Sequence, residues 1–219
     1  ALRAAAGSIT GVVFHFNCEN ADFDDFRRSL ARLARAYGDV LRRLEWVSLG
    51  GGLAFTAPGY PLREFCRALR EFGRGHGVQV YLEPGEAAVT GCAELVTTVL
   101  DVVRNEGDIA IVDASTEAHM LDHLIYRTEA RVAAPGPGPH SVTIAGRSCL
   151  AGDVFGRACL RTRLRPGRVV RLADAAGYTM VKKNWFNGLP MPAIRVRRLS
   201  GAVETVRTFA YEEYVASLS

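Results

Sequence analysis

Apolar residues along the first third of the chain fall into two alternating rhythms. Ile9 to Phe16 (ITGVVFHF) is a short β-branched and aromatic run without a sustained polar face, which predicts a buried strand. From Asp22 to Leu44, the residues Phe23, Phe26, Leu30, Leu33, Tyr37 and Leu41 fall three or four apart and form one helical stripe. A second strand is predicted over Leu44 to Leu49, halted by Gly50-Gly51-Gly52. Pro61 then opens a second helix running to about Gly75, and a third strand, Val78 to Leu82, ends at Glu83-Pro84-Gly85. Strand, helix, strand, helix, strand is the order of parallel βαβ units.

Beyond Glu86 the rhythm changes. Ala87 to Val103 and Asp108 to Ala114 read as long strands with no helix between them, and Pro135-Gly136-Pro137-Gly138-Pro139 is a breaker. Shorter strands are predicted at Ser141 to Gly146, Phe155 to Leu164, Val169 to Leu172, Ile194 to Arg198 and Ala202 to Thr208, with a closing helix at Tyr211 to Leu218. The second half is therefore expected to be mostly β, giving an α/β plus β chain with a boundary near Glu86. Three βα units cannot close a barrel of about eight strands, so either the sheet is open or most of a barrel lies elsewhere.

Composition narrows the class. The 219 residues exceed an ordinary single domain, and 48% hydrophobic with 23% charged residues excludes a disordered, collagenous or coiled-coil chain. A net charge of +4 with scattered arginines provides no basic stripe for nucleic acid. No apolar run reaches membrane-spanning length, and Ala1-Leu2-Arg3-Ala4-Ala5-Ala6 is too short and weakly apolar for a secretory signal, so the cytoplasm is the expected compartment. Five cysteines, odd in number and without a CxxC pair, indicate neither a disulfide framework nor a zinc knuckle. His119, Asp122 and His123 share the face of a predicted helix, a spacing used by metal ligands, but no fourth ligand stands at a matching distance and no metal is expected.

Functional groups gather at the carboxyl ends of strands in barrels and open α/β sheets. Here His15 and Cys18 follow the first strand, the three glycines the second, and Glu83-Pro84-Gly85-Glu86 the third. Consecutive glycines let backbone N–H groups approach a phosphate closely. Together with Ser148-Cys149-Leu150-Ala151-Gly152-Asp153, Gly177-Tyr178-Thr179-Met180-Val181-Lys182 and Phe186-Asn187-Gly188, these blocks resemble, in order, the carboxynorspermidine (carboxyspermidine) decarboxylase family. That family belongs to the fold type III pyridoxal-phosphate enzymes of the alanine racemase and ornithine decarboxylase fold. The likeness runs from about Gly11 to Gly188.

The resemblance implies a set of roles. Residues 1–86 would be the last βα units of a cofactor-binding (β/α)8 barrel, and residues 87–219 a β-rich carboxyl-terminal domain. Pyridoxal 5'-phosphate would be the cofactor and a carboxylated polyamine the substrate, giving norspermidine or spermidine. Glu83 matches the carboxylate that pairs with the ring nitrogen, and His15 the imidazole stacked on the ring. Gly50, Gly51, Gly52 and Tyr178 match phosphate contacts, and Cys18 stands where relatives carry a serine, a better donor than a thiol. Glu86 replaces the arginine found after Glu-Pro-Gly in ornithine decarboxylases. Cys149 and Asp153 match residues that one subunit of a homodimer projects into its partner's site, the thiol returning a proton to the substrate carbon and Asp153 holding a cationic amine. Asp122 matches an acid that contacts the distal amine.

The Schiff-base lysine of this fold has no counterpart here, because Lys182 and Lys183 are the only lysines and lie beside Tyr178. The chain, which starts at Ala1, is thus expected to be the carboxyl-terminal part of such an enzyme, with the amino-terminal half elsewhere, and to be poorly soluble or inactive by itself. Two further readings stand beside it: a non-catalytic homologue acting as a partner-binding or regulatory subunit, and another decarboxylase or racemase on the same scaffold.

Overall fold

A computed structural model describes residues 2–5, 7–134 and 136–219, together with the backbone but not the side chain of Arg3. The expectations attached to Ala1, Ala6 and Pro135 lie outside the described residues. The chain divides into two compact units, one up to Thr90 and the other from Gly91, so the division falls slightly beyond the expected boundary at Glu86.

After a one-turn helix α1 (Leu2–Ala5), the first unit runs β1 (Gly11–Val13), α2 (Phe23–Leu41), β2 (Trp46–Ser48), α3 (Leu62–His76) and β3 (Gln79–Tyr81). The strands form a parallel sheet in the order β1-β2-β3, in a register that aligns Val12, Val47 and Val80. Each strand is shorter than the apolar run predicting it, because the chain leaves the ladder to enter the loops at the carboxyl ends. Phe14 keeps one bond back, its N–H donating to Ser48 O at 2.8 Å.

Local chemistry sets the helix ends. The Asp22 carboxylate accepts from the N–H groups of Asp24 and Asp25, an N-cap worth about 1 kcal/mol. At the other end, Arg43 and Leu44 donate to carbonyls three residues back, tightening the last turn and stopping α2 before Leu44. Phe26, Leu30, Leu33 and Leu41 from the α2 stripe pack with Val47, Leu49, Phe65, Phe72 and Val78 as the core of this unit.

At the end of the first unit a 3-10 turn (Glu86–Ala88) and a loop occupy the start of the strand expected from Ala87. β4 runs only over Glu94–Arg104. With β5 (Asp108–Val112), β6 (His140–Ala145), β7 (Val154–Leu160) and β8 (Val169–Ala173) it forms a mixed sheet ordered β7-β6-β5-β4-β8, in which β5 and β6 are the parallel pair. Leu95, Thr97 and Val99 alternate inward along β4, the period of a one-sided strand. Val112, Met120, Ile144, Phe155 and Leu172 complete the core. β9 (Ile194–Arg197) and β10 (Val203–Arg207) make a separate antiparallel hairpin, followed by α7 (Tyr211–Ala216).

Three short helices stand in the mostly β second unit: α4 (Thr116–His119), α5 (Leu121–Tyr126) and α6 (Gly177–Lys182). Met120 breaks α4 from α5 at φ −143°, ψ 51° as its side chain enters the core. His119, Asp122 and His123 therefore do not share one helical face, and no metal-holding group of three such ligands exists among the described residues. No helix among them is long and apolar enough to cross a membrane.

Candidate active site

In the first unit the three carboxyl-terminal loops are interlocked through the glycines. Gly50 and Gly52 take left-handed φ angles of +72° and +74°, and a Cβ on Gly50 would lie 2.4 Å from His15 Nδ1. A Cβ on Gly51 would lie 2.3 Å from the Glu83 carbonyl oxygen, and one on Gly52 would lie 2.4 Å from that of Asn17. No side chain fits at any of the three positions without moving backbone or the imidazole.

The expected donors are partly committed. Gly50 N–H donates to Ser48 Oγ at 3.1 Å and Gly51 N–H to His15 Nδ1 at 3.3 Å, whereas Gly52 N–H has no such partner among the described residues. Of the glycine amides expected to face a phosphate, two instead hold neighbouring side chains. Accepting at Nδ1 leaves the proton of the neutral His15 ring on Nε2 and fixes the ring against the glycine loop. His15 and Cys18 are exposed.

Glu83 also belongs by residue to the exposed set, yet its carboxylate is anchored inward. Ser48, 3% exposed at the end of β2, donates from Oγ to Glu83 Oε1 at 2.5 Å. Glu83 N–H in turn donates to Gly50 O at 2.9 Å. Ser48 has no signal in the sequence, since a serine inside a strand is unremarkable. Asn17 and Asn20 stitch the first loop, Asn20 Nδ2 donating to Asn17 Oδ1 at 2.9 Å and Asn20 N–H to Gly52 O at 2.8 Å.

In the second unit Cys149 lies exposed on the β6–β7 loop, and Asn187 Nδ2 donates to its Sγ at 3.3 Å. Asn187 adopts φ 58°, ψ 19°, a left-handed conformation that asparagine tolerates better than most side chains. Asp153 was expected to hold a cationic amine. It is 4% exposed, and its carboxylate accepts from Thr116 N–H at 2.7 Å and from Ser148 N–H at 3.0 Å. Each oxygen thus accepts one backbone N–H, and the residue clamps the Cys149 loop to the start of α4.

Asp122, at the start of α5, is half-buried and accepts from Lys182 Nζ of α6 at 2.5 Å. That hydrogen bond raises the Lys182 pKa above its ordinary value. Tyr178, one turn before Lys182 on α6, is half exposed beneath the same ammonium.

His119 is buried. Its Nδ1 accepts from Ser115 N–H at 3.1 Å, so Nε2 is left to donate to Pro190 O at 3.2 Å. Burial pushes its pKa below the usual histidine value, and the bond to Pro190 O, then Asp153, Asp113 and Glu117, pull less strongly in the other direction. The ring is a neutral structural brace. His123 bonds Thr128 Oγ1 at 2.9 Å, and burial lowers its pKa as well. Asn184 ties α4 to the turn carrying Asn187, donating to Glu117 O at 2.8 Å and accepting from Phe186 N–H at 2.8 Å.

Comparison with known proteins places this geometry in a family. The family model described as pyridoxal-dependent decarboxylase, C-terminal sheet domain, matches residues 17–176. A carboxynorspermidine/carboxyspermidine decarboxylase from Herminiimonas arsenicoxydans is 50% identical over 211 residues, 96% of this chain and 58% of the relative. One from Campylobacter jejuni is 34% identical over 94% of this chain and 58% of its own length. A crystal structure of carboxynorspermidine decarboxylase complexed with norspermidine from Campylobacter jejuni superposes with a TM-score of 0.87 at 32% identity, over 96% of this chain and 61% of that one. The chain thus spans less than two thirds of the length of these relatives. With the match covering most of the chain, and the mixed sheet shared with solved decarboxylases, this chain belongs to the pyridoxal-dependent decarboxylases through their C-terminal sheet domain.

Proposed function

We propose that the chain forms part of a pyridoxal-phosphate-dependent decarboxylase that converts carboxynorspermidine or carboxyspermidine to norspermidine or spermidine. The observation that carries this reading is the interlock of His15, Gly50 to Gly52 and Glu83 at the carboxyl ends of three adjacent parallel strands. The residues fit the cofactor, because Glu83 supplies a carboxylate fixed at one oxygen and Gly52 a backbone N–H without a partner among the described residues, both at the carboxyl ends of the parallel strands.

When bound, the cofactor supplies a pyridine ring that accepts the electron pair released as carbon dioxide departs. Glu83 holds the proton on the ring nitrogen through a charge-assisted hydrogen bond. His15, its ring oriented by Gly51 N–H, would be the imidazole that holds the cofactor ring. Gly52 N–H would meet the phosphate, and the thiol of Cys18 would be a weak contact. Cys149 returns a proton to the substrate carbon, and Asp122 draws the distal ammonium. Asp153 acts through the Cys149 loop.

The enzyme is read as a cytoplasmic homodimer whose first unit belongs to a (β/α)8 barrel and in which Cys149 serves the neighbouring subunit. Its Schiff-base lysine comes from sequence other than Lys182 and Lys183.

The test is product analysis with the cofactor-loaded enzyme carrying this chain, supplied with carboxynorspermidine, carboxyspermidine, diaminopimelate and ornithine. Norspermidine and spermidine are expected from the first two, and Cys149→Ala should lower kcat by about a hundredfold with little change in KM. Failure to bind pyridoxal phosphate, or preferential turnover of diaminopimelate or ornithine, would overturn the reading.

A further inference from the structure

The hydroxyl of Ser48 stands in the middle of a directed chain of hydrogen bonds. Gly50 N–H donates to Ser48 Oγ at 3.1 Å, which occupies an Oγ lone pair, and Oγ–H donates to Glu83 Oε1 at 2.5 Å. A hydroxyl has one proton to give, and here the backbone donor behind it leaves that proton aimed at the carboxylate. Ser48 is 3% exposed and sits on β2 between the β1 and β3 partners of the sheet, so its position is set by the strand ladder. The Glu83 backbone is pinned to the same loop through its own N–H on Gly50 O.

We propose that Ser48 is a positioning residue for the cofactor: by holding Oε1 of Glu83 it presents Oε2 to the pyridine nitrogen in one orientation. This rests on the proposed function, since it takes Glu83 as the partner of that nitrogen. Glu83 stands on an exposed loop after β3 and, without Ser48, its carboxylate rotates among several side-chain orientations. Pre-ordering removes that entropy before binding. The donor–donor–acceptor chain also strengthens each of its bonds by mutual polarisation.

The prediction is chemically selective. Ser48 should affect only ligands that carry a ring nitrogen for Glu83 to bind. The experiment compares pyridoxal 5'-phosphate with its 1-deaza analogue, in which a carbon replaces that nitrogen, as probes titrated by absorbance and fluorescence into the apoenzyme carrying this chain. Ser48→Ala is expected to weaken pyridoxal-phosphate binding by about tenfold to a hundredfold, the range for a lost hydrogen bond to a charged group. Binding of the 1-deaza analogue should stay within about twofold of wild type, and in a Glu83→Gln background Ser48→Ala should add nothing further. Ser48→Cys, nearly the same shape with a poor donor, should behave like Ser48→Ala and serves in its place if that variant does not fold.

Equal losses for both probes would show a merely structural role and overturn the proposal. So would unchanged binding of pyridoxal phosphate by Ser48→Ala while Glu83→Gln weakens it. If wild type binds the two probes equally and Glu83→Gln changes neither, the role of Glu83 itself fails, a result distinct from failure of Ser48 alone.

Discussion

Lys182 Nζ donates to Asp122 Oδ1 at 2.5 Å while lying 4.8 Å from the centre of the Tyr178 ring. Tyr178 and Lys182 stand one helical turn apart on α6, so the ammonium bridges an aromatic face of its own helix and an acid on α5. Asp122 thus already holds a cation of the same chemical kind, a primary ammonium, as the end of a polyamine.

If the distal ammonium of the substrate is drawn to Asp122, it competes with Lys182. Replacing the lysine by an uncharged residue of similar length, Lys182→Met, should lower KM for carboxynorspermidine by about three- to tenfold with kcat nearly unchanged, as expected when a partly exposed ion pair is released. Steady-state kinetics check this, and a raised KM would mean that Lys182 orients Asp122 instead.

Gly51→Ala places a methyl group where the Glu83 carbonyl oxygen stands, at 2.3 Å. Because the obstacle is backbone, the β3 loop has to move, at a cost of about 1–3 kcal/mol in stability. Loss of pyridoxal-phosphate absorbance and a lower melting temperature are the expected readouts. Gly107→Ala, at a glycine that like Gly51 has no left-handed φ and where a Cβ meets nothing within 4 Å, is the control.

Asp153→Asn keeps the shape of the side chain but turns one acceptor into a donor, which then faces Thr116 N–H or Ser148 N–H. Leaving one of those groups unsatisfied should destabilise the second unit by about 1–3 kcal/mol. The Cys149 loop should loosen first, so the thiol should react faster with iodoacetamide than in wild type, at temperatures well below unfolding.

His119 has a folded-state pKa below its unfolded value, because burial disfavours the charged ring more than Asp153, Asp113 and Glu117 favour it. The unfolded chain therefore binds a proton first as pH falls, so His119 contributes full stability above its unfolded pKa of about 6.5 and loses it progressively below. The melting temperature should decline between pH 7 and about 5.5, and His119→Gln, starting lower, should show a flatter profile across that window. His123 is displaced in the same direction and adds to the slope.

The long features were legible in the sequence and the short ones were not. The helices α2 and α3 carry apolar stripes over several turns, and their flanking strands end in Gly50-Gly51-Gly52 and Glu83-Pro84-Gly85, so the type and order of these elements could be read from spacing. α4, α5 and α6 span four to six residues each, too few for a period to emerge, and Met120 breaks the one pattern that looked continuous. The burial of Asp153 and the two backbone donors on its carboxylate could not be read, because they are properties of the fold. Ser48 and Lys182 escaped for a related reason. Each acts on a partner far along the chain, Glu83 at a separation of 35 residues and Asp122 at 60, and no local pattern encodes such a pairing.

The three glycines at the end of β2 carry an evolutionary consequence. Each abuts a different neighbour, the His15 ring, the Glu83 carbonyl and the Asn17 carbonyl, so a mutation at any one of them disturbs a separate loop. A side chain at any of them displaces the His15 ring or the backbone of another loop. Descendants that abandoned the chemistry would be released from this constraint at all of these positions together, and in such lineages His15, the glycines and Glu83 should decay as a group.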